Sequence, residues 1–88
     1  MSSVAEQLRS GREAKNLTVH QVAEITKIRT DHIRALEEGN FSVFSAPVYI
    51  RGFVRSYAQV LKLDTMQVMS ALETELIAAG FKAKAVPV

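Results

Sequence analysis

Signals for the start of a helix recur along this chain and limit what it can fold into. In a capping box, the side chain before the first helical turn and a Glu or Gln three residues later satisfy each other's free backbone N–H groups. The pattern occurs as SVAE at residues 3–6, as TVHQ at 18–21 and as DTMQ at 64–67. The sequence therefore predicts helices that begin at or just after residues 3, 18 and 64.

Proline and glycine mark two further helices. Gly39-Asn40 is typical of a helix end, and Pro47 suits a first helical position, where its missing N–H costs nothing. The predicted helices cover about residues 3–15, 19–26, 30–38, 47–61 and 65–79. Because five helices with short connections pack on one another, we expect an all-α domain over residues 1–80 and a flexible tail over 81–88.

The connection between the second and third predicted helices is the most specific feature. Only residues 27–29 separate the two, and a short helix, a tight turn and a second helix make a helix-turn-helix. Such turns usually place Gly at the position of Lys27, so Lys27 must adopt or avoid a left-handed conformation. Asn16 favours a left-handed exit from the first helix.

The composition indicates a small folded domain and gives no support for an enzyme. Of 88 residues, 48% are apolar, 23% are charged and none is Cys, which excludes disulfides and Cys-based metal sites. His20 and His32 lie on different predicted helices without a matching acidic cluster, so we expect no metal. Without a Gly-rich phosphate loop or a His beside paired carboxylates, we expect no catalysis, cofactor or small-molecule substrate.

The positive charge of the chain is concentrated near its fourth helix. The net charge is +2, and residues 39–63 hold Arg51, Arg55 and Lys62 without an acidic residue. A binding partner has to be compatible with this charge. No apolar run approaches the roughly 18 residues that cross a bilayer, so we expect a soluble, cytoplasmic protein.

The apolar face of the fourth predicted helix is wider than packing on one core requires. At about 100° per residue, the arc from Tyr49 to Ala58 covers about 180°, whereas a little over 100° is sufficient. One edge is therefore available to a partner, although burial by the neighbouring helices is an alternative. Aromatic rings beside Arg are typical of interface anchors. The predicted partner-binding residues are Tyr49, Arg51, Phe53, Arg55 and Tyr57.

Other apolar residues are assigned to the core. Phe41 and Phe44 are expected to fill the connection between the third and fourth helices. A stripe at helical spacing on the fifth helix favours core over a binding groove. Its members are Met66, Val68, Met69, Leu72 and Leu76.

Two family resemblances extend over most of the chain. Residues 17–39 resemble the helix-turn-helix of phage repressors (Xre-like), with Val22, Ala23, Ile28, Ile33 and Leu36 as the core pattern. The run ALEEGNFSVFSAPVYIRGFVRSYAQVLKLD at 35–64 is similar to the cytoplasmic domain of the RodZ family of bacterial cell-shape proteins. This similarity extends over about residues 8–64 when the run LRSGREAKNLTVHQVAEITKIRT is included. One departure is Ser45, where that family commonly has Pro.

The RodZ resemblance implies a protein-binding module that links the inner membrane to the MreB cytoskeleton in cell-shape maintenance. The domain would lie at the cytoplasmic face, anchored by a downstream transmembrane segment that this chain lacks, and would bind the actin-like filament protein MreB. Aromatic residues of the fourth helix are implicated in that contact, and the matching positions are Phe53 and Tyr57. In the repressor family an Arg and a Glu pair between the first and third helices, which corresponds to Arg12 and Glu37.

The repressor resemblance implies an alternative function, a transcriptional regulator that binds a specific DNA sequence through its third helix. The matching candidate DNA contacts are Lys27, Arg29, Thr30, Asp31 and Arg34. Residues 30–38 contain one Arg and three acidic residues, which is unfavourable beside a polyanion. The sequence therefore favours a protein partner over DNA.

Overall fold

Five α-helices follow one another along residues 3–81, the part of the chain that the structure, a computed structural model, describes. The helices are α1 (Val4–Ala14), α2 (Val19–Thr26), α3 (Thr30–Glu38), α4 (Pro47–Val60) and α5 (Thr65–Ala78). The all-α prediction is confirmed, and each predicted helix end lies within one residue of its observed position. A short 3₁₀ turn over Phe41–Val43 was not predicted.

The first two predicted capping boxes form with both of their hydrogen bonds. Glu6 N–H donates to Ser3 Oγ at 3.1 Å, and Ser3 N–H donates to Glu6 Oε1 at 3.2 Å. At the start of α2, the Thr18 and Gln21 side chains accept the equivalent bonds at 3.1 and 2.8 Å. Asp64 caps α5 by accepting a backbone N–H of its first turn at 3.2 Å. Local polar groups therefore set where these helices begin.

Left-handed residues close the turns between helices. Lys27 adopts φ 61° between α2 and α3, so the Lys accepts the conformation that usually selects Gly. Asn16 at φ 55° and Gly39 at φ 70° end α1 and α3, as the sequence predicts. Lys62 at φ 57° ends the α4 segment in the same way, which was not anticipated.

The core draws on all five helices. α4 packs against α5 and α2, while α1 packs against α3 and α5. The most deeply buried large side chains of the core include Leu8, Ile33, Ile50, Tyr57, Leu72 and Leu76. Phe41 and Phe44 are also buried, so the connection between α3 and α4 is anchored to the core as expected.

Two expectations at the carboxyl-terminal end are corrected. Met66 is 84% exposed, because the buried side of α5 follows Val68, Leu72 and Leu76 at a spacing of four residues and Met66 lies out of that register. Phe81 donates its N–H to Leu76 O at 2.9 Å and packs partly buried against the core, so it does not belong to a tail. Residues 82–88, the rest of the predicted tail, lie outside the described residues.

Candidate docking face of the fourth helix

A buried polar network joins α1, α3 and α4. Arg12 and Glu37 form a bidentate ion pair, with Nε to Oε2 at 2.7 Å and Nη2 to Oε1 at 3.0 Å. Arg12 also donates from Nη1 to Leu17 O at 2.9 Å, and the Tyr57 hydroxyl donates to Glu37 Oε2. The hydrogen bonds that Arg12 donates to Glu37 raise the pKa of Arg12. Each polar group of this network is therefore satisfied inside the protein.

The position of Tyr57 contradicts its assignment to a docking surface. Its side chain is 0% exposed. Burial is the largest cause that raises the pKa of its hydroxyl, and the hydrogen bond with Glu37 raises this pKa further. The sequence interpretation was that the hydroxyl needs a wet or polar end. Glu37 supplies the polar partner inside the core instead, so Tyr57 connects α4 to α3 and is not free to contact a partner.

Arg51 also differs from its predicted role as a partner-binding residue. Its guanidinium pairs with Glu73 on α5, with Nε to Oε2 at 2.6 Å and Nη2 to Oε1 at 3.1 Å. This hydrogen bonding raises the pKa of Arg51, and only 16% of its side chain is exposed. Arg51 therefore connects two helices of the same domain.

The edge of the apolar arc that is not needed for packing lies at the start of α4, on the side of the helix opposite Arg51. Val48 is 63% exposed and Tyr49 is 53% exposed, while Phe53 is half-buried beside them. Arg55 is exposed and forms no ion pair within residues 3–81. We call the exposed side of this helix the α4 face. It consists of Val48, Tyr49, Gly52, Phe53, Arg55 and Gln59.

Aromatic rings from three parts of the fold form one cluster beside the α4 face. The His32 ring lies 4.9 Å from Phe44 and 5.4 Å from Phe53 between centroids, and Tyr49 lies 6.4 Å from Phe53. These distances are typical of favourable aromatic pairs. A surface hollow of about 290 Å³ opens here, lined by His32, Val43, Phe44, Ser45, Tyr49 and Phe53. The fold therefore holds a partly exposed aromatic surface at the start of α4.

His32 is the member of this cluster that the sequence interpretation missed. It was considered only as a metal ligand, and its ring partners lie on other elements of the fold. No local pattern on α3 marks such a contact. Within residues 3–81, no three His, Asp or Glu side chains converge as a metal site requires.

The predicted DNA-contact residues lie around the turn between α2 and α3. Lys27, Arg29 and Arg34 are exposed, and Thr30 is half-buried. The guanidinium of Arg29 pairs with Asp31, with Nη2 to Oδ2 at 3.2 Å, and both side chains are largely exposed. An acidic side chain therefore stands beside a basic one on the surface that would meet phosphate, as the composition of this helix indicated.

Five helices with a left-handed turn between α2 and α3 define a helix-turn-helix protein. A family model described as a helix-turn-helix domain matches residues 7–68, and the chain belongs to this family. The chain is similar to the cytoskeleton protein RodZ of Streptococcus pneumoniae, at 29% identity over 72 residues. This match covers 82% of the chain and 26% of that relative.

The predicted helix-turn-helix and its resemblance to RodZ are thus confirmed. The chain spans about a quarter of the length of the RodZ relative. No solved structure matches the chain significantly. Within residues 3–81, no helix is both long and apolar enough to span a membrane.

Proposed function

We propose that this domain is a non-enzymatic, protein-binding module of the RodZ type, which docks on the actin-like filament protein MreB through its α4 face. In a longer RodZ-like protein it would lie at the cytoplasmic side of the inner membrane and connect the membrane to the filament during cell-shape maintenance. The similarity to a protein named for the cytoskeleton supports this class of function.

The exposure of Val48 and Tyr49 is the observation that carries the proposal. Large apolar side chains exposed together, next to the half-buried ring of Phe53, are typical of surfaces that bind another protein. Most of the rest of the apolar arc packs in or against the core, whereas Val48 and Tyr49 are not among the described residues that do so. Arg55, which forms no ion pair among the described residues, adds a positive charge at the edge of this face.

The DNA-binding alternative is less well supported by the surface of α3. Its exposed acidic residues, Asp31 and Glu38, would face phosphate, and Arg29 is already paired with Asp31. Lys27 and Arg34 can still contact a phosphate backbone without reading sequence. We therefore expect any DNA binding to be weak, sensitive to salt and indifferent to sequence.

Binding isotherms on the same preparation separate the two functions. The chain is titrated against purified MreB and, separately, against random and selected duplex DNA at physiological salt. We expect saturable binding to MreB and no preferred DNA sequence. Absence of MreB binding, or a preference for one DNA sequence of about a thousandfold, would contradict the proposal.

A further inference from the structure

Two glycines lie inside helices of this domain, and the structure accounts for only one of them. Glycine is disfavoured in a helix interior relative to Ala because it loses more backbone freedom. At Gly11 in α1, a Cβ would lie 3.1 Å from Leu61 Cδ1 and 3.3 Å from Leu63 Cδ2. Gly11 therefore allows α1 to approach the connection between α4 and α5.

Gly52 in α4 has no equivalent reason inside the domain. A Cβ at this position would meet no atom within 4 Å among the described residues, and the backbone is not left-handed. Ala would fit this space and would favour the helix. The absence of a side chain at Gly52 is thus unexplained by the folding of residues 3–81.

The location of Gly52 on α4 indicates why this position has no side chain. At about 100° per residue, Arg55 and Tyr49 lie about 120° apart around the helix, and Gly52 lies midway between them. Val48 precedes Gly52 by about one turn and is exposed as well. Gly52 is therefore a gap at the centre of the α4 face, with an aromatic ring on one side and a guanidinium on the other.

We propose that Gly52 is the point at which the main chain of the partner protein approaches α4 most closely. This inference rests on the proposed function and specifies how that surface is recognised. The partner segment is acidic and carries an apolar side chain, because Tyr49 and Phe53 flank the gap on one side and Arg55 on the other. Arg55 has no ion-pair partner in residues 3–81, and residues 39–63 contain no acidic residue, so a carboxylate of the partner complements this face.

Stability and binding should change in opposite directions when Gly52 receives a side chain. We expect Gly52→Ala to raise the melting temperature by about 3–6 °C, because Ala favours the helix and meets no neighbour. The same variant should weaken binding to purified MreB at least about tenfold, and Gly52→Gln should weaken it further. Ser10→Ala, on an exposed position of α1, is the control, which should raise stability slightly and leave binding unchanged.

The outcomes distinguish this inference from the function on which it rests. Normal binding by Gly52→Ala and Gly52→Gln, together with a loss of binding by Tyr49→Ala, would overturn the role of Gly52 and leave the α4 face in place. A lower melting temperature for Gly52→Ala would also overturn it, because the side chain would then have a neighbour inside the domain. If wild type does not bind MreB, the proposed function fails, and this inference fails with it.

Discussion

Glu37 shows how one residue determines which aromatic side chains of α4 remain available. Its carboxylate accepts hydrogen bonds from Arg12 and from Tyr57, so it closes a network between α1, α3 and α4. Tyr57 makes this contact inside the core, whereas Tyr49, two turns earlier, has no hydrogen-bonded carboxylate among residues 3–81 and is exposed. The apolar arc contains both tyrosines, and the resemblance to a family selected Tyr57, because neither reveals a carboxylate 20 residues away in sequence.

Replacement of Glu37 should destabilise the fold much more than replacement of its neighbour. We expect Glu37→Ala to cost about 2–4 kcal/mol of unfolding free energy, because Arg12 and Tyr57 lose their buried partner. Glu38→Ala removes an exposed carboxylate and should cost less than about 0.5 kcal/mol. Urea denaturation of the two variants measures the difference, and equal values would show that the network contributes little.

The hydroxyl of Tyr57 should make the domain sensitive to alkali. Its pKa is raised in the folded state above the ordinary value of 10.0, so the unfolded chain releases this proton first. The stability that it contributes is present below about pH 10 and decreases as the pH rises further. Melting temperatures measured up to about pH 11 should therefore fall more steeply for wild type than for Tyr57→Phe. Parallel curves would contradict this assignment.

At the scale of elements, the sequence predicted where the helices lie better than which way they face. Caps and turn residues such as Ser3, Thr18 and Pro47 act within one turn of the chain, so the helix bounds could be read locally. The facing of Met66 and Arg51 depends on where α5 crosses α4, and the ring contacts of His32 depend on two other elements. Those features are tertiary, and periodicity alone did not reveal them.

The turn of the helix-turn-helix offers a test at this scale. Lys27 occupies a left-handed conformation that costs a residue with a side chain about 1–2 kcal/mol, part of which Gly avoids. We expect Lys27→Gly to stabilise the domain by about 0.5–1 kcal/mol in thermal unfolding. Lys15→Gly removes the same charge at a position with φ −96° and should not stabilise it. Similar shifts for both variants would show that the turn is not strained.

At the scale of the whole molecule, one side of α4 is buried in the core and the other side is exposed. On the buried side of α4, Tyr57 donates a hydrogen bond to Glu37, and Arg51 forms an ion pair with Glu73 on α5. These contacts fix α4 to its neighbours, and the α4 face remains exposed, with the aromatic cluster at the start of the helix. On the proposed function, a partner protein would bind the α4 face and leave the surface around α3, where the repressor resemblance places DNA, unused.

The binding isotherm of Tyr49→Ala with purified MreB, recorded beside its melting curve, tests the α4 face most directly. Met66→Ala is the matched control, because Met66 is an exposed large apolar residue on α5. We expect Tyr49→Ala to melt within a few degrees of wild type and to bind at least about tenfold more weakly, a loss of about 1.4 kcal/mol. Met66→Ala should bind as wild type does. Unchanged binding by a folded Tyr49→Ala, or an equal loss in Met66→Ala, would contradict docking through the α4 face.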